Sequence, residues 1–229
     1  MDRLERFNNA LKNITLSQTE SGEYEIDFEG LALRAHNQVF SPKYFRSSHI
    51  LLSAFPFREG ERLLEVGCGL GTLSIIAALK HNNEVVATDI NPYAVSLCRK
   101  NAHHYKLKDR VDVRHGDVFS AIEQNETFDT VFWDPPFVWA DDDYDYQSPI
   151  ERAVFDPGYR QIERFIRQSH RYLNKDGRLL MNFGSNGDLE KFTQLVGACG
   201  YDLKELSFTE IEDRGGLTYT LYQLFPRQS

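Results

Sequence analysis

The chain is predicted to fold as a doubly wound α/β domain around a mostly parallel sheet. Three observations predict it. Short apolar runs at Leu63–Val66, Glu84–Asp89, Val111–Arg114, Phe128–Trp133 and Arg178–Phe183 alternate with segments of helical periodicity, the pattern of repeated strand–helix–strand units. Most of these runs lack the polar alternation of a half-exposed strand, as strands covered on both faces do. The length, 229 residues, suffices for one large domain with a sizeable core.

Taken in order, residues 1–20 are polar with apolar positions at Leu4, Phe7 and Leu11, the spacing of a short amphipathic helix that docks on the domain. Tyr24–Phe28 alternates as a half-buried strand, Glu29-Gly30 turns, and residues 31–35 resume the extended pattern, which makes a small hairpin. Ser47–Phe55 reads as a helix feeding the strand Leu63–Val66. That strand ends in Gly67-Cys68-Gly69-Leu70-Gly71, and a helix follows from Thr72 to Leu79. A strand, a glycine-rich turn and a helix N-terminus form a site of the nucleotide-binding type, because bare backbone approaches a ligand closely. The dinucleotide spacing G-x-G-x-x-G fails, since Thr72 stands where the third glycine belongs. The second strand ends in Asp89, about 20 residues beyond the turn, where an acid can accept hydrogen bonds from ribose hydroxyls. Pro92 opens the next helix. Gly158–Tyr172 reads as a long helix, Asp176-Gly177 as a turn, and Leu189–Cys199 as a helix closed by Gly200. Tyr201–Phe208 and Leu217–Phe225 are late strands close enough to pair as a hairpin.

Apolar residues make up 41% and charged residues 26%, as in ordinary globular proteins. The net charge of −8 argues against non-specific binding to nucleic acid. The three cysteines, Cys68, Cys98 and Cys199, are too dispersed for a zinc site or a disulfide framework. Cys68 reads as a small packing residue rather than a nucleophile. The first residues lack the apolar segment of a signal peptide, and no run has the length of a membrane span, so a reducing cytoplasm is the expected location.

The stretch Leu63-Leu-Glu-Val-Gly-Cys-Gly-Leu-Gly71 resembles motif I of the Rossmann-like S-adenosylmethionine (SAM) methyltransferases. Three further segments resemble that family's "methyltransferase small" group, which includes protein-glutamine and rRNA N-methyltransferases: Val39-Phe-Ser-Pro42 ahead of motif I, Asp89-Ile-Asn-Pro92 and Gly116-Asp117. The resemblance implies SAM as cofactor and a sheet of seven strands in the order 3-2-1-4-5-7-6, with the last hairpin antiparallel. Residues 1–45 are then an N-terminal helix-and-hairpin extension, and residues 46–229 the methyltransferase domain. It also implies roles. Glu65 organises the methionine end, and Gly67, Cys68, Gly69 and Gly71 pass close to the cofactor. Asp89 and Ile90 stand at the ribose, Asp117 at the adenine amino group and Val118 against the ring, while Phe40 and Tyr44 add aromatic contacts.

Asp134-Pro135-Pro136-Phe137, directly after the fourth strand, resembles the (Asn/Asp/Ser)-Pro-Pro-(Tyr/Phe) motif of enzymes that methylate exocyclic amino or amide nitrogens. Such a nitrogen delocalises its lone pair and is a poor nucleophile. Acceptors aimed at its N–H bonds return density to it. Asp134 Oδ and the Pro135 carbonyl are the candidate acceptors, and Phe137 the stacking partner. Two prolines stiffen the loop and remove competing donors. No metal is required. The expected activity is N-methylation of a planar nitrogen on a protein side chain or a small metabolite. An RNA base is the alternative acceptor, and a SAM-binding module without catalysis is a third reading. The acidic loop Val138–Tyr146 favours a non-nucleic substrate if it forms an acidic rim on the site. Asp213-Arg-Gly-Gly216 is a candidate for another rim, and residues 151–158 faintly resemble a glutamine-methyltransferase segment without its proline and paired glycines.

Overall fold

The structure, a computed structural model, describes residues 3–45, 47–211 and 217–227. Helix α1 (Arg3–Ser17) precedes a hairpin of β1 (Glu23–Phe28) and β2 (Leu31–His36). Glu29 and Gly30 both have positive φ, 53° and 77°, the mirror-image turn that matches strand twist in a two-residue hairpin. Helix α2 (Ser47–Ala54) then leads into β3 (Arg62–Val66), α3 (Thr72–Lys80), β4 (Glu84–Asp89), α4 (Pro92–His104), β5 (Val111–His115) and β6 (Phe128–Trp133). Two short strands, β7 (Val138–Ala140) and β8 (Phe155–Pro157), are followed by α5 (Arg160–Ser169), β9 (Leu173–Gly184), α6 (Leu189–Ala198), β10 (Tyr201–Ile211) and β11 (Leu217–Pro226).

Seven strands make the central sheet in the order β5-β4-β3-β6-β9-β11-β10. Counted along the chain among themselves, they run 3-2-1-4-5-7-6. The pairs β3–β4, β4–β5, β3–β6 and β6–β9 are parallel, while β11 is antiparallel to both β9 and β10. Successive strand residues feed two cores, as side chains of period two must. Leu64, Val86, Val131 and Met181 join one face, which α1, α5 and α6 cover through Ile14, Phe165 and Phe192. Leu63, Val85, Phe132 and Leu180 join the other, covered by α2, α3, α4 and the N-terminal hairpin through Leu51, Ile75, Val95 and Leu33. Each such side chain contributes about 1.5–3 kcal/mol on burial, which is why the central strands read as unbroken apolar runs.

Three expectations are corrected. Asp176-Gly177 is not a turn outside the sheet; it lies within β9, which begins at Leu173. A Cβ at Gly177 would come within 2.9 Å of the Phe128 carbonyl, so the glycine admits a close approach where the β6–β9 register shifts. The long helix expected from Gly158 is α5, ending at Ser169, with a 3-10 turn at His170–Tyr172. The segment after Phe137 is also no simple loop, because β7 and β8 pair in parallel. Among the described residues, no helix is long and apolar enough to cross a membrane.

At the sheet end opposite the glycine turn, one ion pair and its hydrogen bonds tie β9 to β6 and to the segment that leads into β3. Arg178, 5% exposed, donates to Glu61 Oε2 at 2.7 Å, to Thr130 Oγ1 at 2.9 Å and to the Pro56 carbonyl at 3.0 Å. Arg178→Met leaves the Glu61 carboxylate with Thr130 Oγ1 at 2.9 Å and with Arg58 at 3.4 Å, and loss of a hydrogen bond to a charged group costs about 1.5–3 kcal/mol. A urea titration should show a loss of that size.

Candidate active site

In open α/β sheets the ligand crevice lies beyond the carboxyl ends of the strands, where the strand order reverses. That point here is the β3–β6 junction. A cavity of about 510 Å³ opens there, and the ends of β3, β4, β5 and β6 all line it.

The glycine turn forms its floor. Gly67 has φ 68°, and a Cβ there would fall 2.8 Å from Trp133 Nε1. The Trp133 ring therefore lies against the turn, as the pairing of Val66 with Trp133 requires. Gly71 caps α3 with φ 81°, and its missing Cβ leaves room for Cys98 Sγ, which would otherwise stand 2.6 Å away. Gly67, Cys68 and Gly69 line the cavity; Gly71 does not, so its part is to seat α3 against α4. Cys68 is buried, and its thiol is pushed well up by its hydrogen bond with Cys98 and by burial, which suits packing and not nucleophilic attack. Glu65, 5% exposed, accepts from the Ser74 amide at 3.0 Å and from the Ser74 hydroxyl in the first turn of α3. Burial pushes its carboxyl up to about 8.

Asp89 ties the turn to β4. Its Oδ2 accepts from the Gly69 amide at 2.9 Å and its Oδ1 from the Asn91 amide at 2.8 Å. The cap of α4 is Asn91, not Asp89: Asn91 Oδ1 accepts from the Tyr93 amide at 3.0 Å. Burial raises the Asp89 carboxyl above the usual range. Ile90, 38% exposed, lines the cavity beside it. Asp117 and Val118 follow β5 in a tight turn, Val118 with φ 52° and the Asp117 amide donating to Ser120 Oγ at 2.7 Å. Both line the cavity, and Asp117 Oδ1 is ion-paired with Arg164 of α5.

Asp134, Pro135, Pro136 and Phe137 line the same cavity from the end of β6. Asp134 Oδ1 accepts from Asn182 Nδ2 at 2.9 Å, and burial pushes its carboxyl up to about 6. Asn182 was not among the residues the motifs mark. Its signal in the sequence is a single polar residue inside the apolar run Leu179-Leu-Met-Asn-Phe183, and it is 2% exposed. Tyr159, fully buried, is a second unmarked support: its hydroxyl donates to the Phe137 carbonyl at 2.8 Å and accepts from the Asp188 amide at 2.6 Å. The Phe137 ring packs on Phe183 and Tyr219, at centroid distances of 5.5 and 6.1 Å.

The remaining wall is built by elements outside the motifs. Helix α1 docks through Ala10 and Ile14, and it also lines the cavity with Arg6, Asn9 and Asn13. Arg6 Nη1 donates to the Gly187 carbonyl at 2.6 Å. Phe40 stands in the lining, stacked on Phe45 at 4.1 Å, whereas Tyr44 turns to Glu20 and does not line the cavity. The acidic-rim expectation for Val138–Tyr146 is not met. Asp141, Asp142, Asp143 and Asp145 lie outside the lining, and the charged groups described on that side are Arg6, Lys12 and Arg152. Tyr144 and Tyr146 explain the difference: they pack inward, hydrogen-bonded to Glu151 and the Phe155 carbonyl, which turns the aspartates outward. The second candidate rim, residues 213–216, lies outside the described residues.

Comparison with known proteins places this arrangement. Residues 30–201 match the family model described as methyltransferase small domain. A protein of Methanocaldococcus jannaschii whose name proposes N5-glutamine methyltransferase activity is 32% identical over 175 residues, covering 74% of this chain and 85% of that one. A release factor glutamine methyltransferase of Rhodopirellula baltica is 26% identical over 172 residues, covering 68% of this chain and 57% of its own length. A crystal structure of a methyltransferase from Pyrococcus furiosus superposes with a TM-score of 0.59 at 19% identity, covering 96% of this chain and 97% of that chain.

Gly67→Ala tests the floor. The variant combines an unfavourable φ with a contact of 2.8 Å to Trp133, for a cost of about 1–3 kcal/mol. Denaturation should show that loss, and the tryptophan emission of the folded variant should shift.

Proposed function

The chain belongs to the methyltransferase small domain family, and on that premise we propose that it transfers the methyl group of SAM to a protein side-chain amide nitrogen, with glutamine as the acceptor class. The observation that carries this reading is the seat of Asp134-Pro135-Pro136-Phe137 in the same cavity as the glycine turn, with Trp133 lying against Gly67. SAM supplies an electrophilic methyl group when bound. The residues present fit it: a bare backbone floor at Gly67 and Gly69, Glu65 at the end that takes the methionine moiety, Asp89 with Ile90 at the ribose, and Asp117, Val118 and Phe40 around the base.

The protein's own work is then to make a weak nucleophile attack. An amide nitrogen shares its lone pair with its carbonyl. Asp134 Oδ and the Pro135 carbonyl accept its two N–H bonds, pull it toward tetrahedral geometry and hold it in line. Asn182 fixes the Asp134 carboxyl, Tyr159 fixes the backbone of the loop at Phe137, and the double proline keeps both rigid. Orientation of this kind supplies most of the rate, and fixed acceptors in a half-dry site supply the rest.

The acidic rim no longer argues against an RNA base as acceptor, because Arg6, Lys12 and Arg152 border the acceptor side. Two things favour protein: the net charge of −8, and the printed names of the relatives, one of which acts on release factor. The chain covers 57% of that relative, so its substrate is a guide to class only. A cytoplasmic site of action fits the same reading.

Labelled methyl transfer from SAM into a cell extract, fractionated into RNA, protein and small molecules, should place the label in protein and, after digestion, on glutamine. Label confined to RNA overturns the reading. The pH profile is a second check. The Asp134 carboxyl, at about 6 in the free protein, accepts well only when ionised. At saturating SAM, which holds Glu65 ionised, kcat/KM for the acceptor should therefore fall as pH drops through about 6. Asp134→Asn keeps an acceptor oxygen and should retain turnover without that inflection, whereas Asp134→Ala should lose turnover and keep cofactor binding. Glu65 gives a third check. Its carboxyl, near 8 when unliganded, is largely protonated at pH 7 and must ionise to hold an ammonium group. Calorimetry of SAM binding at pH 7 should show proton release as a dependence of the heat on buffer ionisation enthalpy, reduced in Glu65→Gln.

A further inference from the structure

Helix α5 belongs to none of the sequence motifs, yet it reaches the base end of the cavity. Its N-terminus is fixed by Asp156, whose carboxylate accepts from the Gln161 and Ile162 amides at 3.0–3.1 Å. Its side is fixed by Phe165, stacked on Phe119 with centroids 5.3 Å apart and planes 9° apart. Phe119 lies two residues beyond Asp117. The helix therefore carries Arg164 to Asp117, where Nη2 pairs with Oδ1. Asp117 Oδ2 has no partner among the described residues.

We propose that α5 sets the nucleobase specificity of the cofactor site: Arg164 is a positioning residue that turns Asp117 Oδ2 toward the 6-amino group of adenine. The proposal rests on the reading that Asp117 meets the base. The chemistry is a count of donors and acceptors. A 6-amino group brings N–H donors, and Asp117 Oδ2 is an acceptor for one of them. An acceptor that a ligand covers without supplying a donor is costly, and a ligand that brings the donor avoids that cost. A 6-oxo base brings an acceptor instead and leaves the carboxylate oxygen facing it unpaired. Without Arg164, the half-exposed Asp117 side chain has nothing described to hold its rotamer, so the discrimination weakens even though the carboxylate remains.

The test is calorimetric binding to the free protein of S-adenosylhomocysteine and of S-inosylhomocysteine, which differs at the 6-position of the base. The wild type should prefer the adenosyl compound by on the order of a hundredfold. Arg164→Met should cut that ratio at least tenfold by weakening the adenosyl compound alone, whereas Arg164→Lys, which keeps a cation for Asp117, should restore part of it. If Arg164→Met weakens both compounds equally or leaves the ratio unchanged, the role given to α5 is overturned and the placement of Asp117 stands. If the wild type binds both compounds alike, the placement of Asp117 at the base is itself overturned, and the proposal with it.

Discussion

Trp133 rests on the glycine turn because Gly67 has no side chain, and the rest of the site depends on that contact. Parallel pairing of β3 with β6 brings the ends of both strands level. A side chain at Gly67 would meet the indole at 2.8 Å and force the two ends apart. With the indole seated, the residue after it, Asp134, begins the second motif beside the first. Two segments nearly seventy residues apart thus become one floor, and neither needs a contact of its own to find the other.

Carboxylates gather on this floor, and the fold disposes of them in different ways. Asp89 is spent on two backbone amides, so it braces the turn whatever else it binds. Asp117 is answered by a cation from α5. Glu65 and Asp134 have only neutral partners, Ser74 and Asn182, and both are shifted upward by burial. Groups held near the working pH by desolvation cluster where proteins do chemistry. The two least compensated acids are the ones set between the glycine turn and the proline-rich loop.

Much of the fold was legible in the sequence because a parallel sheet covered on both faces writes itself as apolar runs between helical periods. The strand ends were legible for a local reason: backbone that must bend sharply or leave room for a neighbour restricts residue choice to glycine, proline or a small acid. What was not legible depends on distant packing. Arg164 is one of several arginines in α5, and only the Phe165–Phe119 stack decides that it meets Asp117. Composition alone suggested an acidic rim at Asp141–Asp145, but it could not reveal that Tyr144 and Tyr146 turn inward and send the charges away from the cavity. Gly177 carries the signature of a turn, yet the same absence of Cβ serves a close strand crossing equally well.

Helix α1 has a further consequence. The floor of the cavity is written into strand ends that cannot shift without unpicking the sheet. The wall opposite is a surface helix, held by Ala10, Ile14, Arg6 on the Gly187 carbonyl and an exposed Arg3–Asp188 pair. Exposed pairs of that kind contribute little to stability. Donor handling and acceptor choice therefore sit in parts of the chain under unequal constraint. Drift or engineering can reshape the mouth through the first fifteen or so residues while the methyl-donor machinery stays as it is.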